Sequence, residues 1–264
     1  MSNTMGDDNT GQANKKRKSK WIKSYSNISL LDAEKRLGFE FQSIKVIAVS
    51  EIIAAVGSDI FEGSEGAAVF KTMKEKIYNN IVDYIGFEGY PSESTADFSE
   101  GNVSDLIFTI IGPVLSCLRR KMGRDLRLRR EKEVVSVDGE TGGKEEFVVV
   151  DVVSVMERNY VLVVEGKTGS IGETMKQCLL SMKDMWDNNN DGEIYGFVTT
   201  GESWRVFRYN GVLFEGSRKM DVLFLGMEND GGMDEWMINY SVIVDCLVAA
   251  LFQGGFVNKD VVVG

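Results

Sequence analysis

Apolar residues recur at three- and four-residue spacing over residues 66–91, where Val69, Met73, Ile77, Ile81 and Tyr84 share one face, so this stretch predicts an amphipathic helix stopped by Gly86, Gly89 and Pro91. Before it, residues 26–41 and 43–57 carry a mixed period that reads as helix with one short strand. A polar connection over 92–102 leads to a second helix, 105–123, capped by Ser104-Asp105, bent at Pro113 and closed near Gly123. The period then drops to two. LRLRREKEVVSV (126–137), EFVVVDVVSVM (146–156) and YVLVVEGK (160–167) read as three successive strands, the first two joined by a Gly-rich turn over 138–146 and the last two by MERN. A helix over 170–187 follows, with Ile171, Met175, Cys178, Leu179, Met182 and Met185 in one core-packing stripe. Residues 193–216 give two more strands around Gly201-Glu202, MDVLFLGM (220–227) another, and 234–253 a closing amphipathic helix.

With 264 residues, 43% of them hydrophobic, the chain has material for one large or two small domains. The element pattern divides it into a disordered basic tail (1–24), a mostly helical region (25–95), a mixed core (96–217) and a strand and helix packed on that core (218–258). No apolar run reaches about eighteen residues and no secretory segment opens the chain, so an intracellular protein without a membrane partner is expected. Cys117, Cys178 and Cys246 are odd in number, far apart and free of CxxC spacing, which predicts buried reduced thiols. Nothing in the sequence fixes an oligomeric state.

The chain has no histidine, which removes Ser-His-Asp and Cys-His catalysis, zinc-protease helices and histidine nucleases at once. Any catalysis falls to carboxylates, lysines or a hard metal ion. The net charge of −10 would disfavour a polyanionic partner if spread evenly, but cations collect at 15–20 and at 119–132. In the second cluster Arg119, Arg120, Arg124, Arg127, Arg129 and Arg130 are candidates for gripping nucleic acid, the alternative being a solvated face. KKRKSK (15–20) reads either as a nuclear-import signal or as a plain basic tail, which leaves nucleus and cytoplasm both open.

VLVVEGKTGS (161–170) poses the chemical question. Gly166-Lys167-Thr168 suggests a phosphate-binding loop, yet the first glycine of that motif would fall at position 161, which is Val161 in an apolar strand. Glu165 and Lys167, two apart on a strand, instead share a face. Asp151 lies within an apolar strand, where an acid is costly unless paired. With a short connection at MERN the two strands become antiparallel neighbours, and the expectation is that Asp151 and Glu165 converge on a shared Mg²⁺ or Mn²⁺. The alternatives are a surface ion pair between Glu165 and Lys167, and an Asp151 that bridges a sheet edge.

The pattern D-x₁₃-E-x-K across a helix-β-β-β-helix-β order resembles the PD-(D/E)XK nuclease superfamily, and LRREKE, EEFVVVD, YVLVVEGK and YGFVTTGESWRVFRY are similar to fungal proteins and Crinkler-type effector domains with such cores. The likeness spans roughly residues 100–215. It implies an α/β (α+β) fold: a mixed central sheet flanked by helices, with a restriction-endonuclease-like αβββαβ core and an N-terminal helical extension. The implied activity is metal-dependent hydrolysis of nucleic-acid phosphodiesters, DNA ahead of RNA, with Mg²⁺ or Mn²⁺ as cofactor. By the same resemblance Asp151 and Glu165 hold the metal, the Gly166 carbonyl completes its coordination, Lys167 positions the attacking water, and Gln177 is the glutamine of the following helix. The chain departs from the pattern at Val150, where proline is usual, and at Ser181, where an aromatic is usual. Asp105, Glu131 and Glu133 are candidates for a further acid, Glu131 first among them. Trp204, Arg205 and Arg208 are placed to touch nucleic acid, with core packing the competing role for Trp204. Two other classes stay open: an inactive nuclease-fold module that binds nucleic acid or a protein, and a structural protein that docks a partner through its first hundred residues.

Overall fold

Phe147-Val148-Val149-Val150 and Val161-Leu162-Val163-Val164 are apolar at every position, the signature of strands covered on both faces, and all eight side chains are at most 3% exposed. The computed structural model describes residues 20–54, 61, 63–91, 98–168, 171–189 and 191–255; most of the basic tail, including Lys15, Lys16, Arg17 and Lys18, lies outside them. In chain order the elements are β1 (Lys23–Ser24), α1 (Leu30–Leu37), β2 (Lys45–Val46), α2 (Val49–Ala54), α3 (Gly63–Glu88), α4 (Glu100–Met122), β3 (Leu126–Val135), β4 (Thr141–Val152) and β5 (Arg158–Gly166). They continue as α5 (Ile171–Asn189), β6 (Ile194–Thr199), β7 (Ser203–Tyr209), β8 (Phe214–Gly216), β9 (Met220–Asp221), α6 (Gly232–Asn239) and α7 (Val242–Gln253).

The protein is a mixed α/β structure in which helices flank one mixed sheet, nine-stranded among the described residues. Strands β3, β4 and β5 form an antiparallel meander, β6 joins β5 in parallel, and β7 and β8 continue antiparallel. The parallel step needs a crossover, which α5 supplies. Helix α5 covers one face with Cys178, Leu179, Met182 and Met185, the stripe expected from the sequence, and α4, α3 and α7 cover the other. The N-terminal region is not a separate layer: β1 pairs with β4, β2 with β8, and α2 and α3 share the core of α4 and α7. By length and composition α4 is apolar enough to cross a membrane, but here its apolar side is buried in that core.

Three expectations change in the structure. Helix α4 starts earlier, at Glu100, because Asn102 Oδ1 accepts the Ser99 N–H at 2.8 Å and caps the first turn, leaving Ser104 inside the helix. The Gly-rich segment turns only at 136–140; Gly142 and Gly143 lie within β4, where any Cβ would fall 2.8 Å from the Trp21 ring and 2.5 Å from the Tyr25 ring. The closing helix is two, α6 and α7, bent by 47°, and α7 is buried nearly all round rather than amphipathic. The three cysteines are free and buried, as expected.

Candidate functional site

Residue pairing decides which acids meet. Asp151 stands opposite Asn159, and Glu165 lies six residues farther along β5, about 20 Å away at strand rise. In an antiparallel hairpin, residues equidistant from the turn face each other, and Asp151 is much nearer the 153–157 turn than Glu165 is. The expected convergence of Asp151 and Glu165 therefore does not occur. Asp151 instead accepts from Arg124 Nε at 2.7 Å, with both side chains largely buried. Arg124 also donates to the carbonyls of Leu251, Phe252 and Gly254 at 2.8–3.0 Å, closing the C-terminal end of α7. This pair is structural, and Arg124 leaves the set of nucleic-acid candidates.

The register that pairs Phe147 with Val164 continues to set Glu146 beside Glu165. Ser24 pairs with Gly142 and Val164 with Phe147, each on the side of β4 away from β3, so neither β1 nor β5 is paired with residues 143–146. In that gap the Glu146 N–H donates to Glu165 Oε1 at 3.1 Å in place of a ladder bond, and the Gly166 N–H donates to Glu146 Oε2 at 2.7 Å. The Ser104 hydroxyl of α4 also reaches Glu146. Opposite, on β3, Glu131 is exposed with a left-handed φ of 50°, an irregularity that accompanies the break in side-chain alternation on β4. Consequently Glu146 turns toward α4 while Glu145, beside Tyr25 and Ser181, turns toward α5.

Gly166 makes this approach of α4 possible, since a Cβ there would sit 2.7 Å from Ile107 and 2.8 Å from Val103. The first turn of α4 then places Glu100 Oε2 2.8 Å from Lys167 Nζ, and the Lys167 N–H is fixed on the Thr199 carbonyl at 3.0 Å. Burial pushes the Glu165 carboxyl up to about 7, its bond with Glu145 opposing the rise and the Glu146 charge adding to it. Glu145 lies well above the usual range, first from burial and then from Glu165. It is thus the partner that keeps the proton, which fits its second oxygen, buried and without a hydrogen-bond partner. Glu146 is raised, again mainly by burial. Burial pulls the Lys167 ammonium down, but Glu100, Glu165 and Glu146 together outweigh it and leave its pKa raised.

Of the residues expected at the site, Glu165, Gly166 and Lys167 are together, and Gln177 is half-buried on α5 with no hydrogen bond to Glu165 or Lys167 among the described residues. Glu131 is exposed, Asp105 pairs with Arg130 at 3.5 Å and Glu133 with Lys20 at 2.8 Å, so none of the three supplies the further acid. The acids missed were Glu145, Glu146 and Glu100. Counting outward from the hairpin turn would set Glu165 opposite Glu145; the register shift at Val149/Val150, which the sequence does not announce, sets Glu146 there instead, and Glu100 depends on where α4 begins. Trp204 is fully buried with its indole N–H on the Gly201 carbonyl, Arg205 bonds the Ser217 carbonyl, and Arg208 pairs with Glu215; all three serve the fold.

Arg119, Arg120, Arg127 and Arg129 line a groove of about 710 Å³ between the C-terminal half of α4 and β3. Asp125 pairs with both Arg119 and Arg127, while Arg120 and Arg129 have no ion pair among the described residues. Arg130 lies nearer the acids, over the Phe147 ring. No family model and no curated sequence matches the chain.

Proposed function

We propose that the chain is a metal-dependent phosphodiester hydrolase acting on nucleic acid, built on a restriction-endonuclease-like core of α4, β3, β4, β5, α5 and β6. The observation that carries this reading is that Glu146 and Glu165 lie side by side where β5 ends beside β4, each carboxylate accepting a backbone N–H from the other's strand, with Lys167 next along the chain and held by Glu100 of the preceding helix. An antiparallel meander between two helices, followed by a parallel strand, supports it, and the motif becomes E-x₁₈-E-x-K with Glu146 in the role first given to Asp151.

The donors suit a hard divalent ion in kind, since Mg²⁺ binds through one or two carboxylates and keeps several waters. Among the described residues no three acidic side chains surround one point; in this reading Glu146 and Glu165, with waters, would hold the ion. Such an ion supplies Lewis acidity toward a phosphoryl oxygen and a more acidic water. Lys167, kept protonated by its three acidic neighbours, steadies negative charge on the phosphate and is not the base. Glu100 aims Lys167, while Ser104 and the Gly166 N–H aim Glu146.

One observation favours a second reading, an idle nuclease-fold module that only binds nucleic acid: Glu165 is 4% exposed and engaged by protonated Glu145. Incubation of plasmid and single strands with Mg²⁺ or Mn²⁺ separates the two. Cleavage by the native chain that disappears in Glu146→Gln and Lys167→Ala, with folding retained, is expected. Binding without cleavage, or cleavage untouched by both changes, overturns the hydrolase.

A further inference from the structure

Helix α4 keeps one face in solvent along its length, where Asp105, Phe108, Gly112, Ser116 and Arg119 recur at three- and four-residue spacing. Gly112 and Ser116 are its small residues. They lie between the arginine groove and a second groove of about 470 Å³ that reaches Phe87 on α3, and both grooves include Phe108. Phe108 and Phe87 are 49% and 72% exposed. The neighbour of Phe87, Glu88, accepts from Asn102 at 2.6 Å, within one turn of Glu100 and Ser104. An aromatic and cationic surface therefore runs from Phe108 to the C-terminal end of α4, about 20 Å by helix rise, with Asp105 on the same face toward the acidic site.

Arg120 and Arg129, without an ion pair among the described residues, beside the exposed Phe108 ring are poorly explained as a solvated face, which would pair charges of both signs. They suit a ligand with repeated negative charge and accessible flat rings, on a protein whose net charge is −10. In a duplex the base faces are already stacked; in a single strand they are free. We propose that this face of α4 is a track for single-stranded nucleic acid, with backbone phosphates on Arg120 and Arg129 and a base stacked on Phe108, delivering the strand to Glu146, Glu165 and Lys167. Only the delivery rests on the hydrolase reading; the track itself does not.

The test is fluorescence anisotropy in EDTA with a labelled oligothymidylate of about 16 nucleotides, the upper end of the span such tracks cover, and a duplex of equal length. The single strand binds more tightly than the duplex, and Phe108→Ala weakens it roughly 5- to 150-fold, the ordinary cost of one lost stacking contact. Joint reversal of Arg120 and Arg129 to Glu abolishes binding, and milder Arg→Gln changes flatten its salt dependence. Phe108→Trp keeps the ring and gains a tryptophan signal that the oligonucleotide quenches beyond the native chain's. Equal affinity for duplex, unchanged affinity in folded Phe108→Ala, or no added quenching in Phe108→Trp overturns the track. Because EDTA removes catalysis, this pattern without cleavage in Mg²⁺ rejects the hydrolase alone, and cleavage without the pattern rejects the track alone.

Discussion

Asp151 and Glu146 are both acids on β4, and their surroundings give them opposite jobs. Asp151→Ala leaves Arg124 with its carbonyls but without its counter-charge in a largely buried position, so a loss of about 2–4 kcal/mol is expected in urea unfolding, with cleavage per folded molecule retained. Glu146→Gln is the converse: stability nearly unchanged, cleavage lost. Glu165 carries a pH signature. Its folded carboxyl titrates near 7, well above an ordinary glutamate, so the folded state holds a proton that the unfolded chain has already released. Its contribution is therefore at its best below about pH 4.5, declines as pH rises to about 7 by on the order of 3 kcal/mol, and is level above that. Urea midpoints taken across this window should fall in the native chain and stay flatter in Glu165→Gln. The pair Glu165-x-Lys167 was legible from strand period alone, since it needs no knowledge of a neighbour. The partner acid was not, because an acid in an apolar strand looks the same whether it meets a cation from a distant turn or another acid from the next strand.

At the scale of elements, two glycines make opposite predictions. Gly196 on β6 lies beneath α5, where a Cβ would come 2.3 Å from Met182 and 2.6 Å from Cys178, so Gly196→Ala should cost about 1–3 kcal/mol through overpacking. Gly112 inside α4 has open space around it, so Gly112→Ala should raise the thermal midpoint, by up to about 1 kcal/mol in stability, from helix propensity. Both are read by thermal unfolding. Helices α3, α4 and α5 and the strands β3 to β7 were visible as periodicity because each exposes or buries a regular set of positions. The start of α4 was hidden, since the capping box in which Asn102 accepts from the N-cap Ser99 is a local arrangement that outweighs a plausible cap at Ser104. Gly142-Gly143 read as a turn for a similar reason: the sequence shows a missing side chain but not the Trp21 and Tyr25 rings that occupy its place.

For the whole molecule, the N-terminal segment closes the α5 face. Tyr25 and Thr141 each donate to Asp184 at 2.8 Å and Arg36 at 3.2 Å, around an aspartate with no exposure. Removing residues 1–44 would strip Tyr25 and Arg36 from Asp184 and uncover the Glu145 side of the site, so the remaining chain is expected to lose its cooperative thermal transition. Retention of that transition would show that residues 45–264 fold without the N-terminal segment. What the sequence determined by itself was the order of helices and strands, the absence of imidazole chemistry, the buried thiols and the Glu165-Lys167 pair, all properties carried by period or residue type along the chain. What the tertiary structure decided was which acid joins them, where the arginines fall, and that β1 and β2 of the N-terminal region join the sheet while α7 packs into its core. Those depend on strand register and helix approach, and such distances are set by packing between segments far apart in sequence.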